Sequence, residues 1–171
     1  MEDFIESEES TSEQIKIGKE QGDSIQKALD EMMKIAEDGS EIESGDYLIA
    51  YIIENSEALY TFEDEELNWE EPKEENKHIE ICIRDKFTKR FIPYLDVQIK
   101  LTNKETEKII EKDLPFIWHP WLYHYGANIE IEPGDYTLEI YAEAPEFSRH
   151  DEENGKIMTE PIEAEFDIEI S

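Results

Sequence analysis

The chain has 171 residues, and its 46 Asp and Glu against 16 Lys and Arg leave a formal net charge of −30. Such a surface repels nucleic acid and anionic lipid, which argues against both as partners. At 38% hydrophobic and 11% aromatic there is apolar material for one domain-sized core, and the single cysteine, Cys82, excludes an internal disulfide framework and any cysteine-rich zinc motif.

The acids are spread along the chain, including the outward positions of strands, rather than gathered in one tail. That distribution is expected of a halophilic protein, because at about 1 M ionic strength the Debye length falls to about 3 Å and self-repulsion is largely screened. The melting temperature should therefore rise with NaCl. A melting temperature indifferent to NaCl would overturn this expectation.

In chain order, residues 1–13 are acidic and rich in Ser and Thr, and are expected to form a disordered tail. Residues 14–44 form an N-terminal helical segment with its helix over 24–37. Asp23 or Ser24 can cap it, Ile25, Leu29, Met32 and Ala36 recur at helical spacing, and Gly39 follows its end. The stripe reads as a face docked on the rest of the domain. From residue 45 to 171 the period switches to two. Tyr47, Ile49, Tyr51 and Ile53 alternate with Leu48, Ala50 and Ile52, a strand buried on both faces. Residues 58–62 are expected to pair with it, and 63–77 to form an acidic loop around Pro72.

Four clearer strands follow at 78–84, 94–102, 135–143 and 161–170, the last three with apolar residues alternating with acids, amides or Lys. Shorter strands at 106–111 and 128–132 complete the set, with a turn at Pro133-Gly134-Asp135. The pattern predicts an all-β fold, an immunoglobulin-like antiparallel β-sandwich with a short N-terminal helix. The start, Met1-Glu2-Asp3-Phe4-Ile5-Glu6, lacks a basic stretch and an apolar run, which predicts a cytoplasmic protein without membrane insertion.

Four histidines stand beside aromatics, turns and carboxylates. His78 and Glu80 are two apart on a strand, so both project from the face opposite Ile79, Ile81 and Ile83. That face should meet solvent, a loop or another subunit, and a solvated surface accounts for the pair as well as a ligand site does. His119 and His124 lie in an aromatic stretch interrupted by Pro120 and Gly126, a packed loop able to hold a ligand or simply to fill space. His150 follows Arg149 in a charged loop, where Asp151 could orient an imidazole. Three or four imidazoles and one carboxylate suit a borderline divalent transition metal and do not suit Ca²⁺ or Mg²⁺. Cys82 shares the face of His78 and Glu80, and a packed role suits it better than metal ligation.

The combination of His78-x-Glu80, Phe91-Ile92-Pro93-Tyr94-Leu95, Leu101-Thr102-Asn103, His124-Tyr125-Gly126-Ala127-Asn128 and Arg149-His150-Asp151 resembles the iron-transport-associated periplasmic metal-binding β-sandwich family, across roughly residues 45 to 170. Its members are accessory proteins of a ferrous-iron uptake system, dimeric and able to bind copper and iron. The resemblance implies a metal site from His78, Glu80, His124, His150 and a methionine shortly before His124. This chain has no methionine there, and His119, five residues before His124, is expected in its place. An imidazole for a thioether weakens the preference for Cu(I) and suits Fe(II), Cu(II) or Zn(II).

The resulting expectation is a non-enzymatic iron- or copper-binding protein, with zinc possible, that forms a homodimer and serves a membrane iron permease. The resemblance implies a periplasmic location, against the cytoplasmic one read from the N-terminus. Two alternatives are an Fe(II)-dependent oxygenase using His78, Glu80 and His150 as a facial triad, and a metal-free adhesion or scaffold sandwich.

Overall fold

A computed structural model describes residues 3–171. The elements are α1 (Ser12–Ile35), β1 (Asp38–Ser44), β2 (Tyr47–Asn55), β3 (Leu59–Glu63), β4 (Glu66–Glu70), β5 (Lys77–Asp85), β6 (Val97–Asn103), β7 (Ile109–Leu114), β8 (Phe116–Ile117), β9 (His124–Ile129), β10 (Gly134–Ala142) and β11 (Ile162–Ile170). One sheet runs β1-β2-β5-β9-β8 and the other β11-β10-β6-β7, with every pairing antiparallel. Strand alternation turns Ile49, Tyr51, Ile79, Ile81 and Ile83 of the first sheet inward to meet Leu101, Leu138, Ile140, Phe166 and Ile168 of the second in one buried core. The Tyr51 and Phe166 rings meet edge to face, 4.7 Å between centroids. The Tyr136 hydroxyl donates to the Glu132 carbonyl at 2.9 Å, the corner contact of immunoglobulin-like sandwiches.

The N-terminal region departs from expectation. The helix begins at Ser12 rather than residue 24, capped by Thr11 in a reciprocal box with Gln14. Gly18 and Gly22 are where the helix lies against the 88–90 turn. A Cβ on Gly22 would fall 1.6 Å from the Thr88 carbonyl oxygen, so only hydrogen fits there. Residues 38–44, expected within the helical segment, form β1 and return into β2 through Gly45 at φ +60°. Residues 3–11, expected as part of a disordered tail, lie against the loop after β10. Phe4 stacks on Phe87, Ile5 exchanges hydrogen bonds with the Asn154 side chain, and the Ser7 and Ser10 hydroxyls donate to Asp151. The first two residues of that tail lie outside the described residues.

Two further differences bear on the site. The strand expected at 58–62 is β3, Leu59–Glu63, and it pairs with β4, inside the expected acidic loop, rather than with β2. The resulting hairpin stands apart from both large sheets and exposes Tyr60, Phe62, Leu67 and Trp69. The face carrying His78, Glu80, Cys82 and Arg84 meets neither bulk solvent nor a simple loop. Part of it is roofed by α1, whose Leu29 and Met32 pack with Ala50, Ile52, Cys82 and Leu122, while Gln26 accepts from Arg84 at 2.7 Å. All nine residues of β5 are buried in consequence. No helix among the described residues is long and apolar enough to cross a membrane.

Candidate metal centre

The candidate ligands are set by the register of three strands. On the outer face of the first sheet, Glu54 of β2, His78 of β5 and Asn128 of β9 stand in one row, and Ile52, Glu80 and Gly126 in the next. His124, two residues before Gly126, shares their face. His78, Glu80 and His124 thereby present ligand atoms that all lie within 4.8 Å of one another, the one such group of three or more among the described residues. His78 Nε2 and His124 Nε2 are 3.8 Å and 3.3 Å from Glu80 Oε1.

Gly126 opens the space. A Cβ there would lie 3.1 Å from His78 Nε2 and 3.2 Å from His124 Cδ2. The sequence had suggested that this glycine interrupts regular structure. Instead it sits within β9, since a strand needs no side chain to keep its ladder bonds.

Each imidazole is turned by its other nitrogen. His124 Nδ1 is 3.2 Å from the Leu122 carbonyl, which can only accept, so Nδ1 carries the proton and Nε2 offers a lone pair. His78 Nδ1 is 2.9 Å from Asn128 Oδ1, which leaves Nε2 facing Glu80. The three side chains are 1–3% exposed. Glu80 Oε2 and His124 Nε2 are buried without a hydrogen-bond partner, a costly arrangement for polar atoms.

Burial dominates the electrostatics. It pushes Glu80 up to about 8, helped by the negative charges of Glu54 and Glu57. It holds His124 down at about 4, helped by the neighbouring His78 and His119, with the Leu122 bond opposing. It lowers His78 as well, against the Asn128 bond and Glu57. Without metal, the neutral forms are therefore favoured at neutral pH. A divalent cation fits this donor set: it would satisfy the orphaned atoms and draw the proton from Glu80.

The other two expected ligands are placed differently. His119 lies beside the group, with its ring centroid 6.2 Å from that of His124 and 5.3 Å from Trp121. His150 does not join within one chain. Its side chain is 91% exposed, with Nδ1 3.0 Å from Glu9 Oε2. Arg149 builds the loop that presents it, donating to the carbonyls of Pro145, Phe147 and Met158. The triad of His78, Glu80 and His150 is thus not assembled in a single chain, because His150 sits on a loop beside the N-terminal segment and outside the sheet. Asp151 likewise serves the Ser7, Ser10 and Asn154 contacts rather than an imidazole. Cys82 is buried in the apolar cluster under α1.

Sequence reasoning gave Gly126 and Asn128 no part in the site beyond their place in the His124–Asn128 motif, and Glu54 and Glu57 none. The pairing of His78-x-Glu80 against Gly126-Ala-Asn128 would have exposed the first two had the strand register been known.

A family model described as Fe²⁺ transport protein matches residues 60–171, well over half of the chain. No curated protein matches this chain significantly. Among solved structures, the chain is similar to the copper-reconstituted P19 protein of Campylobacter jejuni, at 24% identity and a TM-score of 0.63, covering 78% of this chain and 94% of that one. It is also similar to a copper-bound variant of FetP from a uropathogenic Escherichia coli strain, at 21% identity and TM-score 0.64, covering 77% and 93%. A DUF4426 family protein from Pseudomonas aeruginosa shares the fold more loosely, at 15% identity and TM-score 0.51, covering 77% and 96%.

Proposed function

Because this chain belongs to the Fe²⁺ transport protein family, we propose that it carries a transition-metal ion as cargo at His78, Glu80 and His124 and passes it toward a membrane iron permease without catalysing a reaction. Iron and copper are the expected ions, copper because P19 and FetP are copper-bound structures, and zinc can occupy the same donors. The observation that carries the reading is the convergence of three buried ligand groups, two of whose atoms have no other partner. His119, adjacent to His124, is the nearest further donor.

His150 joins only from a second copy of the chain, which makes a homodimer the complete binding unit. Its exposure, and its absence from the group within one chain, are what this assignment rests on. The resemblance to periplasmic proteins supports an extracytoplasmic location. Release would proceed by ligand exchange, favoured as the imidazoles and Glu80 take up protons.

Elemental analysis and titration with Fe²⁺, Cu²⁺ and Zn²⁺ test this, together with anomalous scattering from a metal-loaded crystal. The expected result is one ion per chain at the His78/Glu80/His124 group, with a rise in melting temperature on loading. No ion above trace would leave the metal-free scaffold as the surviving reading, and an ion bound elsewhere would remove His78, Glu80 and His124 as its ligands. Substrate-dependent oxygen consumption by the iron-loaded protein would favour an oxygenase instead.

A further inference from the structure

We propose that Asn128 is the positioning residue of this site: its side-chain amide, held by the backbone of Glu57, keeps His78 in the one tautomer that presents a lone pair to the cation, and so ties the site to the root of the β3–β4 hairpin. The inference deepens the metal-binding reading and rests on it.

The Glu57 backbone N–H donates to Asn128 Oδ1 at 3.1 Å, and Asn128 Nδ2 donates to the Glu57 carbonyl at 2.7 Å. A backbone N–H can only donate and a backbone carbonyl can only accept, so these two bonds fix which end of the amide is oxygen. The oxygen so placed is also 2.9 Å from His78 Nδ1. Two acceptors cannot bond each other, so Nδ1 must carry the proton. The tautomer of His78 is thereby dictated by the main chain of a residue 21 positions earlier. Were the amide lost, the proton could move to Nε2, where Glu80 Oε1 at 3.8 Å is the available acceptor. The ligand lone pair would then be capped.

The same grip organises the chain around the site. Residues between β2 and β5 leave the sheet to form the exposed hairpin and then return. At the outgoing end they are held by Asn128. At the returning end Asn76 takes the part, donating to the Ile131 carbonyl at 2.9 Å and accepting from the Ile131 N–H at 2.9 Å. Glu57, fixed by Asn128, is close enough for its charge to bear on both His78 and Glu80. Asn128 thus connects ligand orientation to the seating of the β2–β3 turn.

The test uses ¹⁵N-labelled histidine in the full chain, read by long-range ¹H–¹⁵N correlation at pH 7.5, alongside Zn²⁺ competition titrations. In the metal-free wild-type protein, His78 should carry its proton on Nδ1; a proton on Nε2 overturns the inference before any variant is made. Asn128→Ala should shift His78 toward the Nε2–H form and weaken Zn²⁺ binding by about 10–100-fold, the usual cost of losing an outer partner of a ligating histidine. Asn128→Asp keeps an acceptor for His78 Nδ1–H but sets a second oxygen against the Glu57 carbonyl, so it should keep the Nδ1–H tautomer while releasing the bond to the Glu57 carbonyl. An Asn128→Ala protein with unchanged tautomer or affinity, or an Asn128→Asp protein whose His78 carries its proton on Nε2, overturns it. Should the wild-type protein bind no Zn²⁺, the cargo reading falls on its own account, while the tautomer of the metal-free chain still decides the role of Asn128.

Discussion

Replacing Glu80 with Gln should weaken Zn²⁺ and Cu²⁺ binding by about a hundredfold or more at pH 7.5, because it removes the one anionic donor of the group. Loss of an outer partner already costs about 10–100-fold, so loss of a ligand should cost at least as much. The pH dependence separates this from a general defect. Folded Glu80 holds its proton to about 8, against an ordinary value of 4.5. The folded state therefore binds the extra proton between those limits, and the stability of the metal-free protein from this group falls as pH rises from 4.5 to 8. The histidines act in the opposite sense. His124, held at about 4 against 6.5, contributes stability that is full above 6.5 and is lost as pH falls toward 4, and lowered His78 acts likewise.

Metal binding at pH 7 must then expel about one proton, chiefly from Glu80. Titration calorimetry in buffers of different ionisation enthalpy reads this directly. Wild type should release it and Glu80→Gln should not. Gln also resembles the protonated acid in shape, so the variant should melt like wild type near pH 4.5 and lack the fall in stability that wild type shows between 4.5 and 8. Equal affinity and equal proton release in the two proteins would remove Glu80 from the site.

Gly126→Ala should close the site while leaving the sandwich folded. The new methyl would lie 3.1 Å from His78 Nε2, 3.1 Å from the Ile79 carbonyl oxygen and 3.2 Å from His124 Cδ2. Those separations are shorter than ordinary van der Waals contact, and one of the three atoms belongs to the backbone, so the imidazoles have to move. Overpacking of this kind costs about 1–3 kcal/mol, which denaturant unfolding would register. The larger effect falls on binding, because the methyl presses on both ligating rings and takes up space between them. Affinity should drop more than tenfold, and unaltered Zn²⁺ affinity in a folded Gly126→Ala protein would show that the cation sits elsewhere.

The strands were legible because their chemistry is local. Alternation of Ile and Glu over 162–170, or of Ile79, Ile81 and Ile83 with polar neighbours, follows from the two-residue repeat of a half-buried strand. Helical spacing likewise marked Leu29 and Met32. The helix start was missed because Gly18 and Gly22 weigh against a helix by propensity, whereas here they are the points of close approach to the 88–90 turn. Strand β1 was missed because its sequence, Asp-Gly-Ser-Glu-Ile-Glu-Ser, has one large apolar residue and derives its order from pairing with β2.

The sequence by itself put His78 and Glu80 on one face, because they are two residues apart, and offered His119, His124 and His150 as further imidazoles. Only the tertiary structure decided which of the remaining histidines comes to them. The β5–β9 register carries His124 across 44 residues of chain to Glu80, and α1 helps shield their face from water, whereas His150 rides on a loop that faces outward. Spacing within a strand is a local property of the backbone. Partnership between distant strands, and the burial that shifts Glu80 and His124 so far from their ordinary values, exist only once the sheet has closed.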